Sequence, residues 1–152
     1  MTVGVIADTH GLLRPQAVEA LRGSQLIIHA GDVGAGEILD QLARVAPLRA
    51  VRGNVDKGTW AEALPISDLV EAGGAQLYVL HNLKELGLSP RAAGFAAVIS
   101  GHSHQPGQNV RQGVLYFNPG SAGPRRFQLP VSLGKLHIVN GKVRGEIVNL
   151  AV

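Results

Sequence analysis

The sequence predicts an α/β domain of two stacked β-sheets with helices outside, one that begins parallel and ends antiparallel. Three observations predict it. Short apolar runs recur along the chain, each closed by glycine or polar residues. In the first half these runs alternate with segments of helical spacing, the pattern of strand–helix–strand crossovers. In the second half they follow one another with only turn residues between them, the pattern of hairpins.

Val3–Ala7 reads as a buried strand by its length and branched side chains. Pro15–Leu21 follows as a helix, with proline in the first turn, where its missing N–H is not needed. Gln25–His29 is the second strand. Gly36–Val45 places Ile38, Leu39, Leu42 and Val45 at helical spacing, and Leu48–Arg52 is the third strand. Ser67–Glu71 and Gln76–Leu80 flank Gly73–Gly74, a hairpin turn. Ala96–Ser100 is small and apolar and is expected to be buried on both faces. Val114–Phe117, Leu133–Val139 and Val143–Val148 complete the strands. Asn140–Gly141, between the last two, is the strongest short turn signal in the chain.

The 152 residues fit one domain, residues 1–152. Hydrophobic residues make up 45% and charged residues 16%, a globular composition and not a disordered one. Cysteine is absent, so disulfides, thiolate zinc sites and cysteine nucleophiles are excluded. Any metal must be held by oxygen and imidazole nitrogen. No basic-then-apolar leader and no apolar run near the bilayer length of about 20 residues is present, and a cytoplasmic protein is expected. The net charge of +3 suits an anionic substrate, but the basic residues are scattered and only Arg125 and Arg126 adjoin.

The polar residues that follow the strands carry the chemistry. After the first comes Asp8-Thr9-His10, after the second Gly31-Asp32, after the third Gly53-Asn54-Val55-Asp56. His81 and Asn82 follow Gln76–Leu80, and Gly101-His102-Ser103-His104 follows Ala96–Ser100. Ligand sites of open α/β sheets lie outside the carboxyl ends of the strands, so the five segments converge on one edge. Each fragment alone is common, whereas all five in order are not. Imidazoles, carboxylates and an amide oxygen suit borderline divalent ions. His29 and His137 lack this context and read as a buried strand residue and an alternating strand residue. No P-loop, dinucleotide fingerprint or serine elbow is in register.

In this order the residues resemble the calcineurin-like metallophosphoesterases, whose pattern is D-x-H, G-D, G-N-H-[DE], H and G-H-x-H. Asn118-Pro119-Gly120-Ser121 and the short length resemble the small YfcE-type phosphodiesterase branch. The resemblance implies a four-layer αββα sandwich of two mixed sheets flanked by helices. It implies two divalent ions per chain, manganese first, with nickel, cobalt, iron or zinc as alternatives. Asp8, His10, Asp32 and His104 would hold one ion, and Asp32, Asn54, His81 and His102 the other, with Asp32 bridging. A shared hydroxide would attack phosphorus in a small phosphate ester. Asn54, Asp56 and His81 form the candidate catalytic set, with Asp56 holding a loop or orienting a ligand. Asn82, Arg125 and Arg126 are candidate substrate contacts. A homodimer is a further expectation.

One position departs from the family pattern. Many members carry histidine after the motif asparagine, where this chain has Val55. Weaker catalysis on poor leaving groups and a preference for activated diesters are expected. Two other readings compete. A non-catalytic scaffold like the retromer subunit of this fold would have lost motif ligands, and this chain keeps all seven. A nuclease would carry insertions or a basic patch with interleaved aromatics, and neither is present.

Overall fold

The apolar runs pair into two five-stranded sheets in the computed structural model, which describes residues 1–152. In chain order the elements are β1 (Thr2–Ile6), α1 (Pro15–Leu21), β2 (Leu26–His29), α2 (Gly36–Ala43), β3 (Leu48–Ala50), α3 (Thr59–Glu62), β4 (Ser67–Ala72) and β5 (Ala75–Leu80). A 3₁₀ turn (Leu83–Glu85) then precedes α4 (Pro90–Ala93), β6 (Ala97–Ile99), β7 (Gly107–Arg111), β8 (Val114–Asn118), β9 (Ser132–Val139) and β10 (Lys142–Asn149). The first sheet has the order β10-β9-β1-β2-β3 and the second β4-β5-β6-β8-β7. No helix is long and apolar enough to cross a membrane.

Each sheet is mixed. β1, β2 and β3 are parallel, and β9 and β10 close that sheet antiparallel. β5, β6 and β8 are also parallel, flanked by antiparallel β4 and β7. The chain thus begins parallel and ends antiparallel, with a parallel set also inside the second sheet. The crossover from β5 to β6 is made by the 3₁₀ turn and the four-residue α4, too short to show a helical period. Three two-residue hairpin turns have positive φ at both positions: Gly73–Gly74, Gln112–Gly113 and Asn140–Gly141. That is the backbone of type I′, whose twist matches the paired strands.

Three cores hold the layers. Val3, Val5, Ala7 and Ile28 from the first sheet meet Leu77, Val79, Ile99 and Phe117 from the second. Ile6, Ile27, Ala17, Leu21, Ile38 and Leu42 join the first sheet to α1 and α2. On the far face of the second sheet Leu80, Val98 and Val114 pack with Leu83 and Leu86. Phe117 needs bare backbone opposite it: a Cβ on Gly134 would strike its ring, and one on Gly145 would come within 2.7 Å. The two open sides of the sandwich are clipped. Arg49 on β3 makes two 2.8 Å bonds to Asp68 on β4, and Gln108 Nε2 on β7 donates to Gly145 O on β10 at 3.2 Å.

Candidate metal centre

The carboxyl ends of β1, β2, β5 and β6 deliver six metal-capable side chains to one place. Asp8, His10 and His104 form one group and Asp32, His81 and His102 a second, the ligand atoms of each lying within 4.8 Å of one another. Asp32 stands between them, its Oδ2 3.1 Å from His81 Nε2 and 3.6 Å from His10 Nε2. Asn54 shares a pocket of about 150 Å³ with His81. The rings are interleaved, with His10 and His104 stacked at 5.2 Å and His81 edge-on to His102 at 5.1 Å.

Two observations say that these residues are arranged for something besides each other. Of the five buried side-chain polar atoms without a partner, four are Asp8 Oδ1, His10 Nε2, His81 Nε2 and His104 Nδ1. Buried polar atoms are normally paired, and each orphan costs about 1–3 kcal/mol. Five of the eight non-glycine residues with positive φ are Asp8 (54°), His10 (45°), Asp32 (55°), His102 (73°) and His104 (63°). Such strain persists where the surroundings impose it, commonly at functional sites. Divalent cations fit this donor set of carboxylates and imidazoles, which leaves buried polar atoms unpartnered on both sides of Asp32.

The electrostatics follow from burial. Burial drives the Asp8 carboxyl up to about 7, while His81 pulls it down. Burial also acts to raise Asp32, but the His81 contact and the Val55 N–H overcome it and hold the group at about 2. His81 is pushed down by burial but raised on balance by Asp32 and by the Ala30 carbonyl. Its Nδ1 lies 2.8 Å from Ala30 O, which fixes Nδ1 as the donor and aims Nε2 at the cluster. His104 is lowered to about 4 by burial and by the charge of Arg126.

A layer of neighbours fixes the ligand loops. Asp56 joins neither group. Its oxygens accept the amides of Gly53 (2.8 Å), Gly34 (2.9 Å) and Val33 (3.2 Å), bracing the loop after β3 against the loop after β2. Asp8 Oδ2 accepts the His102 N–H at 3.0 Å, which joins the two sheets at the site. His29 is buried beneath: the Gly31 N–H can only donate, so its Nδ1 is the acceptor, at 3.1 Å, and Nε2 donates to Thr9 Oγ1 at 3.0 Å. Asn118 Nδ2 donates to Gly101 O at 3.0 Å, and Ser121 Oγ donates to Asp8 O at 3.0 Å. Sequence reasoning missed these last roles, because each joins segments far apart in the chain.

The remaining candidates sit at the rim. Asn82 Oδ1 caps the 3₁₀ turn by accepting the Lys84 N–H at 3.1 Å. Arg125 and Arg126 are exposed, and the charge of Arg126 acts on Asp8 and His104. Val55 turns its side chain to solvent, and only its N–H meets the cluster, through Asp32 Oδ1 at 3.0 Å.

The family model for the calcineurin-like phosphoesterase superfamily domain matches residues 1–141. The chain belongs to that superfamily. A probable metallophosphoesterase of Methanothermobacter thermautotrophicus is 36% identical over 97% of this chain and 92% of its own length. The phosphoesterase YfcE of E. coli shares the fold at a TM-score of 0.72 and 22% identity, over 99% of this chain and 100% of that one. A Vps29 single mutant from Entamoeba histolytica does so at a TM-score of 0.77 and 22% identity, over 99% of both chains. The superfamily, the fold and a set of residues able to hold metal thus agree with what the motifs imply.

Proposed function

We propose that this superfamily member is a dinuclear-metal phosphodiesterase, working as one domain in the cytoplasm, with manganese its first candidate metal and a dimer its expected assembly. One observation carries the reading: two ligand groups with unpartnered buried polar atoms adjoin, Asp32 Oδ2 of the one lying 3.6 Å from His10 Nε2 of the other. Asp8, His10, Asp32 and His104 would hold one ion. Asp32, Asn54, His81 and His102 would hold the other. Bound there, two divalent ions supply a nucleophilic water at neutral pH and stabilise charge on the phosphoryl oxygens.

The protein's own groups do the rest. Asp32 stays ionised, as a shared carboxylate must. The Ala30 carbonyl fixes the ring of His81, so that its Nε2 keeps its aim. Arg126 adds positive charge where a phosphate would approach. Asp56 keeps the loops of Asp32 and Asn54 in register. Val55 offers no proton to a leaving oxygen, so the reading favours esters whose leaving group departs as a stable anion. A scaffold role has less support, because all seven motif ligands remain in the chain.

The test is hydrolysis of bis-p-nitrophenyl phosphate by metal-stripped protein, with Mn, Ni, Co, Zn or Mg added back and Asn54→Ala as control. Activity that returns with metal and is lost in the variant supports the reading. Two ions bound without turnover of any diester would sink it in favour of a scaffold.

A further inference from the structure

A groove of about 620 Å³ opens beside the cluster, beginning at His102 and Asn82 and lined by β7 and β8. Nothing in the cluster itself requires it. Its far end carries Arg111 and Tyr116. The Arg111 guanidinium lies over Tyr116, two residues along β8 from Asn118, which is roughly 7 Å at strand spacing. The groove is therefore long enough for an extended arm of a substrate.

The charges lining the groove have one sign. Lys84 and Arg111 are the only lysine and arginine that line it, and no carboxylate does. Glu85, next to Lys84, faces the smaller pocket by Asn54 instead. Arg22 and Arg49 are ion-paired, whereas Lys84 and Arg111 have no carboxylate within 4.0 Å. Arg111 is held in place another way, its Cζ 4.8 Å above the centre of the Tyr116 ring. Neutral polar groups such as Asn109 fill the wall between. An apolar arm would leave two cations uncompensated over a polar floor, whereas an anionic arm would offset their charge.

We propose that this groove selects phosphate esters whose second arm ends in a negative group, a phosphate or a carboxylate, bound by Lys84 and Arg111. The proposal rests on the phosphodiesterase reading for its chemistry and on the groove for its specificity. The two can fail separately.

The experiment compares three substrates with one leaving group on the manganese-loaded protein: p-nitrophenyl butyl phosphate, p-nitrophenyl 3-carboxypropyl phosphate and p-nitrophenyl 4-phosphonobutyl phosphate. The charged arms should be preferred by ~10-fold in kcat/KM, through KM, since a hydrogen bond to an ionised group is worth about that factor. The preference should fall with added salt. Lys84→Ala and Arg111→Ala should each reduce the ratio of charged to uncharged rates, and Arg111→Lys should recover part of it. The larger effect of phosphonate or of carboxylate distinguishes the two anions. Calorimetry with butane-1,4-diyl bisphosphate against butyl phosphate reads the groove without turnover. Equal affinities there, or a preference that survives in the Lys84→Ala, Arg111→Ala double variant, would overturn the proposal. Absence of hydrolysis with unequal affinities would overturn only the phosphodiesterase reading.

Discussion

Val55 donates its backbone N–H to Asp32 Oδ1 at 3.0 Å while its side chain, 46% exposed, points to water. The residue that departs from the family pattern thus still serves the cluster, through an atom that any residue except proline supplies. Its side chain is free to be changed without disturbing Asp32. Val55→His should leave metal content unchanged and raise turnover of alkyl phosphodiesters by about 10²-fold, the low end for a positioned general acid. Aryl esters should gain far less. Equal gains on both ester types in steady-state kinetics would show that Val55 does not limit leaving-group protonation.

Asp56 makes the opposite prediction. Three amides depend on its carboxylate, and two lie in the loop of one ligand while the third lies beside another. Asp56→Ala should cost roughly 2–4 kcal/mol in urea unfolding, because one buried and two partly buried donors lose their acceptor. It should also weaken metal binding by about 10–100-fold, as loss of a ligand-orienting partner commonly does. A variant with native metal affinity would reduce Asp56 to a purely structural residue.

What could be read in the sequence, and what could not, divides on distance along the chain. Asp8, Asp32, His81 and His102 were legible because each follows an apolar strand within three residues, so local pattern and topology together place them. Strand β7 was not, since Gly107–Arg111 is exposed at every position and carries no alternation. It forms because the Gln112–Gly113 turn lays it against β8, and Gln-Gly is a weak turn signal. The loop-holding role of Asp56 was legible, but its partners Val33 and Gly34 were not, nor were the groove cations Lys84 and Arg111. Their roles exist only once separate loops have met.

Asp8 predicts how metal uptake depends on pH. In the metal-free protein its carboxyl is held at about 7 against an ordinary 3.8. The folded chain therefore keeps a proton that the unfolded chain releases. The stability this confers is present below about pH 4 and is lost as pH rises towards 7. A cation binding to Asp8 must expel that proton. At pH 6, calorimetry in buffers of different ionisation heat should show release of about one proton or more with manganese. Asp8→Asn should bind metal more weakly and release less. Heat that is independent of the buffer would contradict the protonated Asp8.

His29 has the reverse sign. Burial, with His81 adding to it, lowers its pKa from 6.5 to about 3. Here the unfolded chain takes the proton first, so the stability is present above about pH 6.5 and is lost as pH falls towards 3. Other groups titrate in the same range, among them Asp8, so the bare pH profile of the wild type does not isolate the effect. The gap between the wild type and His29→Leu does. At pH 7 the variant should be less stable by about 1–3 kcal/mol, because the Gly31 N–H and Thr9 hydroxyl lose a partner. Leucine has no proton to gain. The gap should therefore close on acidification, by at most about 1.4 kcal/mol per pH unit, and then invert. Urea unfolding of both metal-free proteins between pH 7 and pH 4 reads it directly. A gap that stays constant across that range would mean that His29 is solvated or already charged, and that the buried Thr9–His29–Gly31 chain does not hold in solution.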